Sequence, residues 1–285
     1  MRNPSNLIET RTRTRSISPM SAIDLLFDGL RARGRKALLP FVTAGDPDLE
    51  FTRAILQELI ARGSSLCEVG IPYSDPIADG PVIQASYTRA LDRHIRLADI
   101  LQTLGQTTRQ FAAPLVTMVS YSIVHRYGPE RYVVDAKQAG VAGAIVPDLP
   151  VDESDPLQQI CRREDFSLIH LVTPTTPRER ALRIAHGSTG FLYYVSVTGI
   201  TGERSQLPSQ LTDNVMWLRE RIHLPLCIGF GISRPEHVRQ LAPVADGLIV
   251  GSAIVRRIAE AESKPRDQVR LEVGQYVETL IQALR

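Results

Sequence analysis

Eight short runs of β-branched and other apolar residues recur along the chain at roughly thirty-residue spacing, each followed by a loop rich in Gly, Pro and Asp and then by a segment with helical spacing. The runs occupy 37–42, 66–70, 114–119, 142–147, 167–171, 191–195, 226–228 and 247–250. Helical patterns follow over 49–61, 82–93, 98–110, 129–139, 153–163, 178–186, 210–221 and 234–241, and two more, 252–261 and 266–284, come after the last run. Runs this apolar on both faces belong to a parallel sheet covered by helices on each side. Eight strand–helix units in 285 residues predict an α/β protein closed into a (β/α)8 TIM barrel. An open doubly wound sheet calls for G-x-G-x-x-G after an early strand, and the sequence has none. Residues 21–34 read as an extra amphipathic helix ahead of the first strand, with Ser21 as N-cap for an apolar face of Leu25, Leu26 and Leu30.

Composition removes several classes of function. Thirty-three Lys+Arg against 31 Asp+Glu leave a net charge of +2, too even for a nucleic-acid or membrane-surface footprint. No apolar run is long enough to cross a bilayer. Cys67, Cys161 and Cys227 are scattered singly, which indicates neither a disulfide framework nor a zinc site and points to a reducing, cytoplasmic compartment. Residues 1–20 alternate Arg with Thr or Ser and hold little that can be buried, so they read as a disordered N-terminal arm before one barrel domain over 21–285. An acid-poor, Arg- and Ser-rich start also fits an organelle transit peptide, but the apolar face such a peptide needs is weak.

In a barrel, chemistry sits at the C-terminal ends of the strands. Glu68 lies inside the apolar second run, on the same face as Leu66 and Gly70. A carboxylate there is costly unless it is paired or kept for a task. Asp75 and Asp79 follow in a Pro-stiffened loop, where Asp is also an ordinary turn former. With Glu68 they put two or three carboxylates at one strand end, an arrangement suited to acid–base work. Gly229-Phe230-Gly231-Ile232-Ser233 follows the seventh run, and Gly251-Ser252-Ala253 follows the eighth and opens a helix. Glycine turns and free N–H groups at a helix start favour a phosphate there. Residues 196–204 mix Gly with polar residues, as a lid or a plain surface loop does. The six histidines have neither HxxH nor HExxH spacing, and Gly-x-Ser-x-Gly is absent, so neither metal hydrolysis nor Ser-His chemistry is expected.

From about Ser21 to its end the chain resembles the tryptophan synthase alpha subunit family. The resemblance is carried by Pro40-Phe41-Val42-Thr43-Ala44-Gly45-Asp46-Pro47, by the segment GIPYSDPIADGP that ends at Pro81, by Val146-Pro147-Asp148-Leu149-Pro150, and by the two glycine turns. It implies a (β/α)8 barrel that cleaves indole-3-glycerol phosphate to indole and glyceraldehyde 3-phosphate without a cofactor or metal, alongside a beta subunit in an alpha2beta2 assembly. By the same resemblance, Glu68 is the general acid–base near indole C3 and the side-chain hydroxyl, with its pKa raised by burial. Asp79 faces the ring N1–H, and Tyr193 lies beside the reacting carbon. Phe41, Ile83 and Phe230 wall the indole. Backbone N–H groups of Gly202, Gly231, Gly251 and Ser252 hold the phosphate, and Thr201 is the lid residue that bonds Asp79 on closure. One departure stands out: after the third strand the family usually shows Tyr-x-Asn, where this chain reads Ser120-Tyr121-Ser122-Ile123. That region meets the beta subunit in the bienzyme complex, so a free-standing lyase that releases indole is an alternative. A different sugar-phosphate barrel and an inactive barrel that activates a partner are the others; retention of Glu68, Asp79 and Tyr193 together argues against the last.

Overall fold

The computed structural model describes residues 20–76, 79–195, 211–229 and 231–285. Apart from Met20, the arm expected over 1–20 lies outside them. The elements run α1 (Ala22–Ala32), β1 (Ala37–Thr43), α2 (Leu49–Ala61), β2 (Cys67–Gly70), α3 (Pro81–Leu91), α4 (Leu97–Thr108), β3 (Leu115–Met118), α5 (Tyr121–Tyr127), α6 (Pro129–Gln138), β4 (Val141–Ile145), α7 (Asp155–Arg163), β5 (Ser167–Ile169), β6 (Leu171–Val172), α8 (Arg178–Gly187), β7 (Leu192–Val195), α9 (Leu211–Arg219), β8 (Leu226–Gly229), α10 (Pro235–Leu241), β9 (Gly247–Val250), α11 (Ser252–Ile258) and α12 (Arg266–Gln282). Every strand pairing is parallel, in the order β5-β4-β3-β2-β1-β9-β8-β7-β6.

The two ends of that order meet in one stretch of chain. The fifth sequence run, 167–171, is two short strands: β5 pairs with β4, and from His170 onward the chain bonds to β7. Tyr193 N–H donates to the His170 carbonyl at 3.1 Å, and His170 N–H donates to Ser188 Oγ at 3.0 Å. The expected eight-stranded TIM barrel therefore closes through a segment that changes partners at His170. Helix α5 is an addition to the sequence reading, seven residues capped by Ser120, whose side chain accepts from Ser122 N–H at 3.2 Å.

Alternating strand residues fill the barrel. Leu39, Leu66, Val116, Ile145, Ile169 and Ile249 pack as its inner core, and their neighbours in sequence face the helix layer. Helix α1 plugs the N-terminal end. Ser21 caps it reciprocally: Asp24 N–H donates to Ser21 Oγ at 3.2 Å and Ser21 N–H to Asp24 Oδ2 at 3.1 Å. Its buried face is Ile23, Phe27 and Leu30, with Leu26 half-buried against the same core; of the expected Leu25, Leu26 and Leu30 only Leu25 departs, 59% exposed because it turns away from the barrel floor. Phe27 meets Phe191, at the start of β7, with ring centroids 6.0 Å apart. Among the described residues, no helix is long and apolar enough to cross a membrane.

Candidate active site at the C-terminal mouth

Glu68 points into the barrel. It is 1% exposed, and neither carboxylate oxygen has a hydrogen-bond partner among the described residues. Burial, and then the negative charge of Asp79, push its pKa up to about 8. Strand pairing sets Phe41 of β1 beside it. Asp79 precedes α3, half-buried, and burial lifts its pKa to about 6. Tyr193 of β7 is 3% exposed; burial raises its phenol well above the ordinary value, and the charges of Glu68 and Asp79 add to that. Two carboxyls held near neutral and a phenol that stays protonated share one mouth. Such a set can give and take a proton at one edge of a ligand and accept a hydrogen bond at another.

Gly229 explains how Tyr193 fits. A Cβ at Gly229 would collide with the Tyr193 hydroxyl and lie 2.7 Å from its ring carbons, so only glycine lets the phenol cross the end of β8. Phe41, Ile83, Tyr87 and Val255 form a separate apolar cluster beside the carboxylates. Gly251, at the end of β9, stands over Phe41, whose Cβ would be 3.7 Å from an added methyl. Packing leaves room for a Cβ over Gly251. Ser252 begins α11, and Gly231 follows β8, so both glycine turns border the mouth. Of the residues expected in the site, Phe41, Glu68, Asp79, Ile83, Tyr193, Gly231, Gly251 and Ser252 come to this mouth. Thr201, Gly202 and Phe230 lie outside the described residues.

Sequence reasoning passed over the clamp on α3. Thr43 Oγ1 and Ser86 Oγ are 2.6 Å apart; Ser86 donates onward to the Ile83 carbonyl at 2.7 Å, so Thr43 donates to Ser86. One turn on, Arg89 grips buried Asp46 with two bonds of 2.7 Å. Thr43 and Asp46 belong to the Pro40–Pro47 motif, and their role is to hold the helix that carries Ile83. Tyr87, four residues after Ile83 on the same face, was also missed, although i,i+4 spacing from a wall residue was the available signal. The loops after β2, β3 and β4 enclose an adjoining groove of about 840 Å³ lined by Tyr73, Asp75, Ser120, Ser122, Arg126 and Asp148, among others. In it, Asp148 accepts from Ser120 Oγ at 2.7 Å and from Tyr121 N–H at 2.8 Å. Ser120, one of the two serines that stand where the family has Tyr-x-Asn, thus ties the start of α5 to the Val146–Pro150 motif, and Ser122 bonds Ser120.

Comparison with known proteins points to one family. The family described as "Tryptophan synthase alpha chain" matches residues 27–284. The tryptophan synthase alpha chain of Rhodopirellula baltica is 57% identical over 275 residues, spanning 93% of this chain and 99% of the relative. That of Rippkaea orientalis is 43% identical, again over 93% of this chain and 99% of its own. Among solved structures, tryptophan synthase subunit alpha from Legionella pneumophila superposes with a TM-score of 0.84 at 34% identity, covering 93% of this chain and 98% of that one. A Mycobacterium tuberculosis tryptophan synthase chain gives 0.84 at 31% identity, covering 93% and 99%.

Proposed function

The chain belongs to the tryptophan synthase alpha chain family, and from that premise we infer that it is the lyase subunit that cleaves indole-3-glycerol phosphate to indole and glyceraldehyde 3-phosphate in tryptophan biosynthesis. The observation that supports a working site most strongly is Glu68: a carboxyl buried with no hydrogen-bond partner among the described residues and held near neutral pKa by its surroundings.

The cleavage needs a proton delivered to indole C3, positive charge tolerated on the ring, and a proton removed from the side-chain hydroxyl. In our reading protonated Glu68 gives its proton to C3. Ionised Asp79 accepts a hydrogen bond from N1–H and offsets the charge that develops there. Glu68, now a carboxylate, takes the hydroxyl proton; the carbon–carbon bond breaks, its electrons restore the indole, and the hydroxyl carbon leaves as the aldehyde. Glu68 ends protonated, ready for another turn. Tyr193 packs beside the reacting carbon, and Phe41, Ile83 and Phe230 hold the ring. The phosphate rests on N–H groups of Gly202, Gly231, Gly251 and Ser252, so remote binding energy positions the bond to be broken. Thr201 bonds Asp79 when substrate is enclosed. The groove beside the mouth, bordered by Tyr73, Asp75 and the Ser120–Ser122 loop, is where a beta subunit seats in this reading. Three free, buried cysteines suit a cytoplasmic setting.

The test is steady-state indole release by the full chain, alone and with a tryptophan synthase beta chain, for wild type, Glu68→Gln and Asp79→Asn. Turnover by wild type that collapses in both variants is expected. Wild-type rates in Glu68→Gln remove the mechanism, and no turnover by any form under either condition leaves only a partner-activating barrel.

A further inference from the structure

Tyr87 has no role in the reading above, yet its position is unusually constrained. It is 2% exposed on α3, in the cluster of Phe41, Ile83 and Val255. A phenylalanine would satisfy that cluster without placing a hydroxyl in it, and a buried phenol is costly unless its O–H finds work. The hydroxyl lies over the end of β2: a Cβ on Gly70 would strike the Phe41 ring and sit 3.1 Å from the Tyr87 oxygen, so the phenol packs beside Phe41 above that residue. Gly70 is the next residue after Glu68 on the inward face, which puts the Tyr87 oxygen at the barrel mouth above the acid–base. The Tyr73 ring, tilted 53° at 5.7 Å, packs against the phenol, and the Thr43–Ser86 and Asp46–Arg89 contacts fix the helix beneath it. Asp79 lies just before the same helix.

We propose that Tyr87 is a positioning residue for the cleavage: with substrate enclosed, its hydroxyl donates a hydrogen bond to the Asp79 carboxylate and holds that carboxylate against the indole N–H. The proposal rests on the reading of Asp79 given above. Burial holds the Tyr87 phenol well above its ordinary pKa, so it acts as a donor only; among charged neighbours Asp79 affects it most, followed by Tyr73 and Glu68. The other groups facing this point are the Tyr193 phenol from β7 and, acting through Tyr73, Asp148 and Asp75. Phe41 of β1 and Val255 of α11 bring no charge. A donor on Asp79 favours its ionised form, so losing the donor raises its pKa.

The experiment is kcat and KM against pH for indole-3-glycerol phosphate, using the full chain with a beta chain present, in wild type, Tyr87→Phe, Asp79→Asn and the double variant. Expected for Tyr87→Phe is a loss of roughly ten-fold on the acid side, carried by kcat, with the acid limb moved to higher pH and the melting temperature close to wild type. In the Asp79→Asn background the same change adds nothing. An unmoved acid limb, or an equal loss in that background, overturns the proposal. If Tyr87→Phe is silent while Asp79→Asn stays crippled, the positioning role fails and the site reading survives. If Asp79→Asn turns over like wild type, the reading of Asp79 falls and takes the proposal with it.

Discussion

At the N-terminal end of the barrel the inward rows carry Leu39, Leu66, Phe191 and Cys227; two residues further along the same rows come Phe41, Glu68, Tyr193 and Gly229. The lower layer is apolar and sealed by Ile23, Phe27 and Leu30 of α1. The upper layer holds a carboxyl with no hydrogen-bond partner among the described residues, a buried phenol, and a glycine that makes room for it. Both layers ride on the same strands with the same hydrogen bonding, so backbone geometry does not separate them. Side-chain chemistry does: the lower layer gains stability by removing apolar surface from water, and the upper layer gives up part of that gain to bury ionisable groups.

Exchanging chemistry between the layers tests the contrast. Glu68→Gln has the largest expected effect, a fall in kcat of about 10²- to 10⁴-fold. Its stability should move the opposite way, and with pH. Because the folded pKa is raised from 4.5 to about 8, the fold favours the protonated acid. Wild type is then unpenalised at acid pH and loses stability as pH climbs from about 4.5 through 8. The melting temperature of Glu68→Gln should therefore pull ahead of wild type across that window, and a gap that narrows instead would refute the burial argument. In the lower layer, Phe27→Ala should cost about 3–5 kcal/mol of unfolding free energy and leave kcat of the folded protein unchanged. Denaturant titration followed by the single tryptophan, Trp217, whose ring centroid lies 4.9 Å from the Arg178 guanidinium carbon and 4.8 Å from that of Arg221, reads this directly. Gly229→Ala forces Tyr193 out of place, and about a ten-fold drop in kcat is expected from misplacement alone. Ser21→Ala removes the cap of the plugging helix, a loss of about 1 kcal/mol with no change in turnover.

Much of this was readable in the sequence. Strands buried on both faces announce themselves as apolar runs, and Glu68 stood out because a charge interrupts one of them. The rest was hidden for physical reasons. Helix α5 has seven residues, too few for a periodic pattern to emerge from Ser-Tyr-Ser-Ile-Val-His. The break at His170 depends on which neighbour each half of the segment bonds, a property of barrel closure rather than of local composition. On α1, Leu25 looked like a core residue because the apolar stripe admits more than one angular setting, and only docking on the barrel floor selects Ile23 and Phe27. Tyr87, Ser86 and Arg89 sit on an ordinary amphipathic helix, and their partners Gly70, Thr43 and Asp46 are distant in sequence.

The central claim is that the barrel mouth keeps the Glu68 carboxyl protonated at neutral pH. Carbon-13 NMR of the free, full-length chain labelled at glutamate side chains, titrated in parallel with Glu68→Gln, measures it. The account predicts one carboxyl that titrates near 8 in the wild type and is missing from the variant. A wild type in which every glutamate titrates around the ordinary value of about 4.3 would contradict it.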